Sequence, residues 1–491
     1  MKRLATLAPL LLLGACVVGP DFVAPAAPGP DASYASDGGG KAALGEGPVR
    51  EWWKAFQSEE LDALVARALE RNHSLEASRE TLKAAQERIK AMVGKTRPQV
   101  DTHGEMSYQQ VNLNAIGLGN SFDVPGFENF RVTNPEFDLY TLGGGVSYNL
   151  DLPGRNRRSI EHAAAMAEAT ARETEAAHLV IAARVVAQVL AIAALNDRIA
   201  TMQTLLSEDE RNVTLTEARR KGGVGTMVEV LSAQGELARD RAGLPNLEQQ
   251  LAEGRAMLAV LLGISPGELG PTAYTLGQFA LPDQVPVALP SSLVRRRPDI
   301  LEAEARLHAA TAVVGIATAE LYPDMTIGAS ITQSTSNADK IFSNRFNAFD
   351  LFAGVTAPIF RGGTLKANKR AAQAEARAAA ASYRQVVLDA FGQVSGLLSA
   401  FETDGKALAA RQYSADIAER SLHLSRRSFQ VGNSGILQVL DASRSYQQAR
   451  LALLDTKAQQ FHNIARMYAA TAGGWVGGSN NRTEEVAQLE P

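Results

Sequence analysis

The chain contains an internal duplication, and this feature constrains its fold more than any other. The stretch GTMVEVLSAQGEL, which starts at Gly225, is matched by SGILQVLDASRSY, which starts at Ser434. Glu229-Val230-Leu231 then aligns with Gln438-Val439-Leu440, 209 residues later. Two copies of this length predict a pseudo-symmetric structure rather than a solenoid of short repeats.

Each copy has the same predicted order: a helix, two strands joined by a loop, a long helix and a return helix. The first copy covers residues 51–288 and the second covers 289–472. A proline, Pro98 or Pro323, ends the first helix of each copy, because the residue before a proline disfavours helical geometry. The predicted helices cover residues 58–96, 154–221 and 227–262 in the first copy, and 298–321, 363–431 and 436–472 in the second.

The two long helices carry apolar residues at alternating spacings of three and four, which is typical of coiled-coil packing. In the second copy this seam consists of Val387, Phe391, Val394, Leu398, Phe401 and Leu408. At 1.5 Å per residue such a helix is a rod of about 100 Å, longer than compact domains commonly contain. The pattern therefore predicts either a solvent-spanning coiled coil or a structural stalk.

Short segments of period two lie between the helices. Met325, Ile327, Ala329 and Ile331 alternate with polar or small residues, and similar alternation covers residues 141–150 and 351–359. A fourth strand is predicted over 100–112. This pattern fits either a half-buried sheet of a soluble protein or strands that cross a bilayer. Four strands cannot close a barrel, and a bilayer tolerates no open sheet edge. Membrane strands would therefore require several chains to share one barrel.

The N-terminus predicts secretion and lipidation. Residues 1–15 combine a basic start, a short apolar run and small residues, which is the layout of a signal peptide. Leu13-Gly14-Ala15-Cys16 resembles a bacterial lipobox, and Cys16 is the only cysteine of the chain. We interpret Cys16 as a lipidation site; the alternative is an ordinary signal peptide with a chance cysteine. Residues 16–50 are predicted to be a flexible tether and residues 473–491 a disordered tail.

Charge and hydropathy narrow the classes of partner. The chain has 49 basic and 53 acidic residues, so no basic excess favours nucleic acid. No apolar run after residue 16 is expected to be long enough for a membrane helix. The histidines show no paired ligand spacing, so no metal site and no cofactor other than the lipid on Cys16 are expected.

Several motifs together resemble the TolC-like outer-membrane efflux family, in particular the NodT-type lipoprotein branch that serves resistance-nodulation-division (RND) pumps. They are LPSSLVRRRPDILEAEARLHAATAVVGIATAELYP from Leu289, CVVGPDF from Cys16, EWWKAF from Glu51, APIFRGG from Ala357 and VGNSGILQVLDASRSYQQAR from Val431. The resemblance implies a mainly α fold with a small transmembrane β part. It implies a trimer with a long α-helical barrel and a shared 12-stranded β-barrel, to which each chain gives four strands. It also implies a lipid-anchored protein of the bacterial outer membrane with a large periplasmic portion.

The resemblance implies a passive exit duct of a tripartite efflux pump, joined by a periplasmic adaptor to an inner-membrane RND transporter and gated at the helical tips. Asp441 matches a position at which similar channels carry an acidic ring, and Gln438 stands where some members have a second aspartate. An alternative interpretation of Asp441 is a solvated helix-face residue. Four glycines at the tips are predicted to permit sharp turns through positive φ and to expose backbone to the adaptor: Gly223, Gly225, Gly432 and Gly435. Turn geometry alone is the alternative for them.

Two rival functions remain open at this point. A lipid-tethered periplasmic enzyme would need convergent titratable groups, which the sequence does not show, so we predict that the chain is not an enzyme. A structural coiled-coil lipoprotein without a transport role would explain the long helices but not the duplicated alternating strands. The sequence does not distinguish drugs, metals or signalling molecules as cargo, nor which pump and adaptor take part.

Overall fold

A computed structural model shows how the duplication is built. It describes residues 17–26, 42–45, 50–112, 134–282, 285–288, 290–343, 345 and 347–472. The predicted signal peptide, Cys16, the tail and most of the loop after the first long strand lie outside the described residues.

The described residues form eight α-helices and six strands. The helices are α1 Glu59–Arg71, α2 His73–Lys95, α3 Arg155–Lys221, α4 Met227–Leu261, α5 Pro290–Arg296, α6 Pro298–Ala319, α7 Thr364–Gln430 and α8 Ile436–Thr471. The strands are β1 Ala42–Gly45, β2 Gln99–Gln110, β3 Glu136–Asn149, β4 Val285–Ala288, β5 Asp324–Thr335 and β6 Asn347–Thr356. The long helices α3 and α7 have 67 residues each and start 209 residues apart, which confirms the internal repeat.

The prediction of one continuous helix over residues 58–96 is wrong, because the chain breaks at Asn72 into the two helices α1 and α2. The Asn72 side chain accepts hydrogen bonds from the backbone N–H groups of Ser74 and Leu75, at 3.0 and 3.3 Å, and donates to the carbonyl of Leu261 at 2.9 Å. It therefore caps α2 and ties the break to the end of α4. The second copy has a similar break at Arg297, between α5 and α6.

The chain folds as two compact units. Of the described residues, the first contains those within 17–23, 85–167 and 306–379, and the second contains the others. The first unit carries an antiparallel sheet in the order β2-β3-β5-β6. Neighbours in this sheet come from both copies, because β3 of the first copy pairs with β5 of the second.

The register of this sheet gathers apolar side chains on one face. Directly paired residues point to the same side, and the pairs Val100↔Val146, Val146↔Ala329 and Ala329↔Leu351 link all four strands. The face that they mark also carries Met106, Leu142, Tyr148, Met325, Ile327, Ile331, Phe349 and Val355. The opposite face carries Asp101, His103, Glu105, Ser147, Asn149, Thr326, Ser330 and Thr332. The predicted alternation is thus confirmed at most positions, with Phe137, Leu139 and Phe352 as apolar residues on the opposite face.

The first unit also binds the start of the described chain. The backbone N–H of Val18 donates to the carbonyl of Pro153 at 3.1 Å. The Arg158 side chain, 5% exposed, pairs with Asp21 at 2.8 Å, and Phe22 stacks on His308 with ring centroids 4.4 Å apart. The structure therefore differs from the expected flexible tether at residues 17–22. A second difference is strand β1, which pairs in parallel with β4 in the second unit.

The second unit is helical and holds the main apolar core. A short 3-10 helix at Trp52–Phe56 places Trp52 and Phe56 in that core, where both are at most 1% exposed. Trp52 stacks on Tyr468 with centroids 5.8 Å apart, and Phe56 packs against Phe461. The aromatic residues after the tether thus fasten the chain to helix α8.

Helix α3 contradicts the expectation that no apolar run after residue 16 is long enough for a membrane helix. It contains a window that is long and apolar enough to cross a membrane by length and composition. More than half of that window is buried inside the protein. Helix α3 also carries Val185, Val189 and Ile192, each at most 1% exposed, and we attribute the hydropathy of the helix to core packing.

Candidate functional site

Two turns in the second unit carry the residues that the sequence singles out. Residues 222–226 connect α3 to α4, and residues 431–435 connect α7 to α8. We call them the first tip and the second tip. All four predicted tip glycines lie in these turns, and Gln438 and Asp441 lie at the start of α8.

The tip glycines fall into two groups. Gly223 and Gly432 have φ of +76° and +82°, as predicted, and their N–H groups bond to the carbonyls of Arg220 and Phe429. The expected positive φ is wrong for Gly225 and Gly435. A Cβ on Gly225 would lie 2.9 Å from the backbone nitrogen of Arg220, so close approach of the chain requires glycine there. Gly435 has φ of −82° and is the N-cap residue of α8.

The two tips differ in how the return helix begins. At the first tip, the Thr226 hydroxyl accepts from the N–H of Glu229 at 3.3 Å, and the Glu229 carboxylate accepts from the N–H of Thr226 at 2.8 Å. This reciprocal pair is a capping box, which satisfies two otherwise unpaired donors. At the second tip, Gly435 has no side chain to cap α8.

The predicted gate residues share one side of α8. Gln438 and Asp441 are both exposed, and their spacing of three places them on the same helix face. An exposed carboxylate on this face is available to a neighbouring copy or to ions. Whether three such residues form a ring stays a prediction.

A salt bridge that the sequence did not reveal joins α4 to α8 beside these residues. Arg444 contacts Glu236 through two hydrogen bonds, of 3.2 and 2.9 Å, and the Glu236 side chain is only 5% exposed. The bond from Arg444, with a second one from Arg239, lowers the pKa of Glu236 despite the opposing effect of burial. The sequence does contain a signal for the burial of Glu236, because this residue follows the buried Val230 and Ala233 at intervals of three on α4.

A second contact joins the ends of α3 and α7, next to the two tips. The Arg219 guanidinium lies over the ring of Phe429, 4.6 Å from its centroid, and Arg219 also donates to the carbonyl of Val224. Phe429 is 6% exposed and belongs to a small apolar cluster. The other members are Ala233, Leu422, Ile436, Val439, Leu440 and Ala442. This cluster holds α4, α7 and α8 together next to the tips.

Outside this cluster the tips expose apolar side chains to solvent. They are Val224, Met227, Val228, Leu231, Val431 and Leu437, each at least 48% exposed. Exposed apolar groups collected at one place mark interaction surfaces more often than groups scattered singly do. Among the described residues, no three of His, Cys, Asp and Glu come together in a way that could hold a metal ion.

Comparison with known proteins gives one consistent result. The family model described as outer membrane efflux protein matches residues 64–264 and 289–473. The pyoverdine export outer membrane protein OpmQ of Pseudomonas putida is 30% identical over 436 residues, covering 89% of this chain and 90% of OpmQ. Nodulation protein T of Rhizobium leguminosarum bv. viciae is 28% identical, covering 96% of this chain and 94% of that protein.

The fold agrees with a solved structure. The outer-membrane channel OprN superimposes with a TM-score of 0.83 at 28% sequence identity. The match covers 94% of this chain and all of the OprN chain.

Proposed function

The chain belongs to the outer membrane efflux protein family, and we propose that three copies of it enclose one passive duct whose periplasmic end is the two tips. It is an outer-membrane efflux protein with a large periplasmic portion. The proposal adds the trimer, the position of the gate and the partners. Energy for transport would come from an inner-membrane RND pump through a periplasmic adaptor, and the chain itself would perform no catalysis.

One observation carries the proposal: the four-stranded sheet has an apolar face, a polar face and two open edges. Its outer strands, β2 and β6, each pair on one side only among the described residues. Leu351 and Val355 on β6 are 74% and 64% exposed, on the apolar face. An isolated sheet of this kind could not persist in a bilayer, since unpaired backbone groups there cost several kcal/mol each. Joining β6 of one copy to β2 of the next would remove every open edge.

Two further features support the proposed orientation of the sheet faces and the position of the lipid anchor. The polar face would line the water-filled interior and the apolar face would meet lipid, as in other membrane barrels. We propose that Cys16 carries the lipid after removal of residues 1–15. The anchored contacts of Val18, Asp21 and Phe22 would then hold the lipid close to the strand-to-helix junction, because three residues span at most about 11 Å.

We propose that Asp441, with Gln438 one turn before it, faces the narrow end of the duct. Three carboxylates around an axis would repel each other and attract cations. The apolar side chains at the tips, with the glycine backbone of residues 223, 225, 432 and 435, would receive the adaptor. The exposed fractions of Val224 and Val228, 68% and 64%, support an unoccupied docking surface in the single chain.

Conductance in planar bilayers tests this proposal. The full-length protein should form trimers and give discrete, cation-blocked current steps. Asp441→Ala should weaken block by divalent cations, and Gln438→Asp should strengthen it, because each changes the charge on the same face. Asp416→Ala is the matched control, since Asp416 is an exposed aspartate on α7 away from the tip. An absence of current steps would instead favour a structural lipoprotein, and unchanged block in both α8 variants would exclude Asp441 from the gate.

A further inference from the structure

The hairpin formed by α3 and α4 places a buried aspartate, Asp209, opposite a half-buried one, Asp240. Asp209 on α3 is 1% exposed, and no described residue donates a hydrogen bond to either of its carboxyl oxygens. The Oδ2 atom of Asp240 on α4 is also buried without a donor. Asp209 lies opposite Asp240 across the hairpin, because the adjacent residues Glu210 and Arg241 form an ion pair between the same two helices at 2.8 Å. Three of the four carboxyl oxygens of these two residues are thus buried without a donor among the described residues.

The positive charges near this pair bond to other acids, although Arg444 also attracts the Asp240 carboxylate. Two more acids lie close to Asp209, namely Glu208 on α3 and Glu236 on α4. The nearby arginines bond to those other acids, as the following ion pairs show: Arg426 on α7 with Glu208 at 2.8 Å, Arg444 on α8 with Glu236 at 2.9 Å, and Arg239 on α4 with Glu236 at 2.6 Å. Asp441 on α8 adds negative charge near Arg444.

Elementary electrostatics decides the protonation of such a pair. Two ionised carboxylates in a buried contact repel each other and lose their hydration, whereas a single bound proton turns the repulsion into a hydrogen bond. Burial, followed by the hydrogen bond to Asp240 and the charges of Asp240, Glu236 and Glu208, raises the pKa of Asp209 to about 7. The proton is therefore present under mildly acidic conditions and is lost in the neutral range.

We infer that Asp209 and Asp240 share one proton and act as a pH-dependent clamp between α3 and α4. With the proton in place, one carboxyl donates to the other and the helices stay together. Without it, the two carboxylates repel each other and the hairpin opens more often. The inference goes beyond the proposed function, because it concerns the stability of one hairpin and holds whether or not the protein conducts.

The sign of the effect follows from linkage. The acid binds its proton more tightly in the closed hairpin than in an open, solvated one. Closure is therefore most favourable at low pH and weakens as pH rises towards the folded-state pKa of Asp209, which is about 7. The weakening levels off above that value. Nearby ion pairs such as Glu236–Arg444 stay charged throughout this range and add no comparable slope.

The internal repeat provides a built-in control. At the offset of 209 residues, Asp209 corresponds to Ala418 on α7 and Asp240 corresponds to Ala449 on α8. The hairpin formed by α7 and α8 thus has helices of equal length to within one residue but lacks this acidic pair. A pH effect caused by the clamp must be confined to the first hairpin, whereas a general effect of pH on the protein would reach both.

Hydrogen exchange of the full-length protein in detergent, at pH 6 and pH 8, tests the clamp. After correction for intrinsic exchange, opening of residues 200–245 should rise about tenfold between the two values, as linkage predicts for this pair. Residues 409–454 should not change. Asp209→Asn should abolish the rise, because an amide does not titrate, and Asp416→Asn should leave it intact. Equal responses of the two hairpins, or a rise that persists in Asp209→Asn, would overturn the inference.

A second measurement covers the case in which Asp209→Asn fails to fold. Infrared difference spectra of the unaltered protein between pH 6 and pH 8 should show loss of a protonated carboxyl C=O band, and Asp240→Asn should change that band. If no carboxyl band disappears over this range, the pair does not share a proton and the clamp is excluded.

Discussion

The two hairpins of this chain have the same backbone plan and different interiors. Helices α3 and α7 have 67 residues each, and α4 and α8 have 35 and 36. The interior of the first hairpin includes the buried polar residues Asp209, Asn212 and Thr216, at spacings of three and four on α3. On α7, by contrast, Ala415, Leu422 and Phe429 are buried at spacings of seven.

The comparison shows that helix length and turn position persist in both copies while the chemistry between the helices differs. Near the tips, α3 buries polar residues whereas α7 buries apolar ones. The first hairpin also has a capping box, which the second lacks. We therefore expect substitutions at matched positions of the two hairpins to have different consequences. Three pairs of variants at matched positions test this expectation, and a fourth pair tests the salt bridge between the hairpins, in order of decreasing effect.

The largest difference is expected at Phe429, whose counterpart in the first copy is the exposed Arg220. Phe429→Ala should cost about 3–4 kcal/mol, since it removes a buried ring and leaves a cavity. Arg220→Ala should change stability by less than about 0.5 kcal/mol, as for most surface positions. Thermal unfolding followed by circular dichroism at 222 nm measures both. Similar losses in the two variants would contradict the apolar packing assigned to this end of α7.

The ends of the return helices provide the second pair. Gly263 follows α4 with φ of +69°, and a Cβ there would collide with the Arg71 carbonyl, whereas its counterpart Ala472 has φ of −62°. Gly263→Ala should cost about 2–3 kcal/mol, from the left-handed backbone and the overlap. Ala472→Gly should cost at most about 1 kcal/mol. Unfolding midpoints of the two variants give the answer, and equal shifts would refute the assigned strain.

The third test concerns the salt bridge between helices α4 and α8. Arg444→Ala should cost about 1.5 kcal/mol, because it removes two charge-assisted hydrogen bonds from the buried Glu236 carboxylate. The cost is lower than for a fully buried pair, since Arg444 is half exposed. Arg239→Ala removes only one bond from the same group and should cost less. Because the pKa of Glu236 is lowered, its contribution should fade as pH drops below about 4.5. A larger loss in Arg239→Ala would reverse this assignment.

The smallest effect is expected at the N-caps. Thr226→Ala should weaken the start of α4 by about 1 kcal/mol, since it removes the capping hydrogen bond to Glu229. Gly435→Asn, at the matched position, should strengthen the start of α8 by only a few tenths of a kcal/mol, because glycine already tolerates the cap conformation. Hydrogen exchange of the first turns of α4 and α8 reports both. No change in α4 would show that the capping box does not contribute.

Much of this architecture follows from the sequence. Regular spacing predicted the long helices within one or two residues, and alternation such as Met325-Ile327-Ala329 identified the strand faces. Helix breaks that depend on a capping side chain were not predictable, because an asparagine such as Asn72 caps a helix only when its surroundings allow it. We predicted positive φ for all four tip glycines, but Gly225 instead allows a close approach of the chain and Gly435 is the N-cap of α8. Contacts between distant residues, such as Arg444 with Glu236, depend on how α4 and α8 pack.

The central claim is that each chain supplies one third of a closed barrel, and disulfide trapping between edge strands tests it most directly. Cys16 is the sole cysteine of the sequence, so pairs can be introduced freely, with one cysteine on β2 and one on β6 at successive registers. Oxidation should give covalent trimers for at least one register. Val146→Cys with Ala329→Cys, which pair within one chain, should give monomers only. If every β2–β6 pair also gives monomers only, the sheet does not close between copies and the account is wrong.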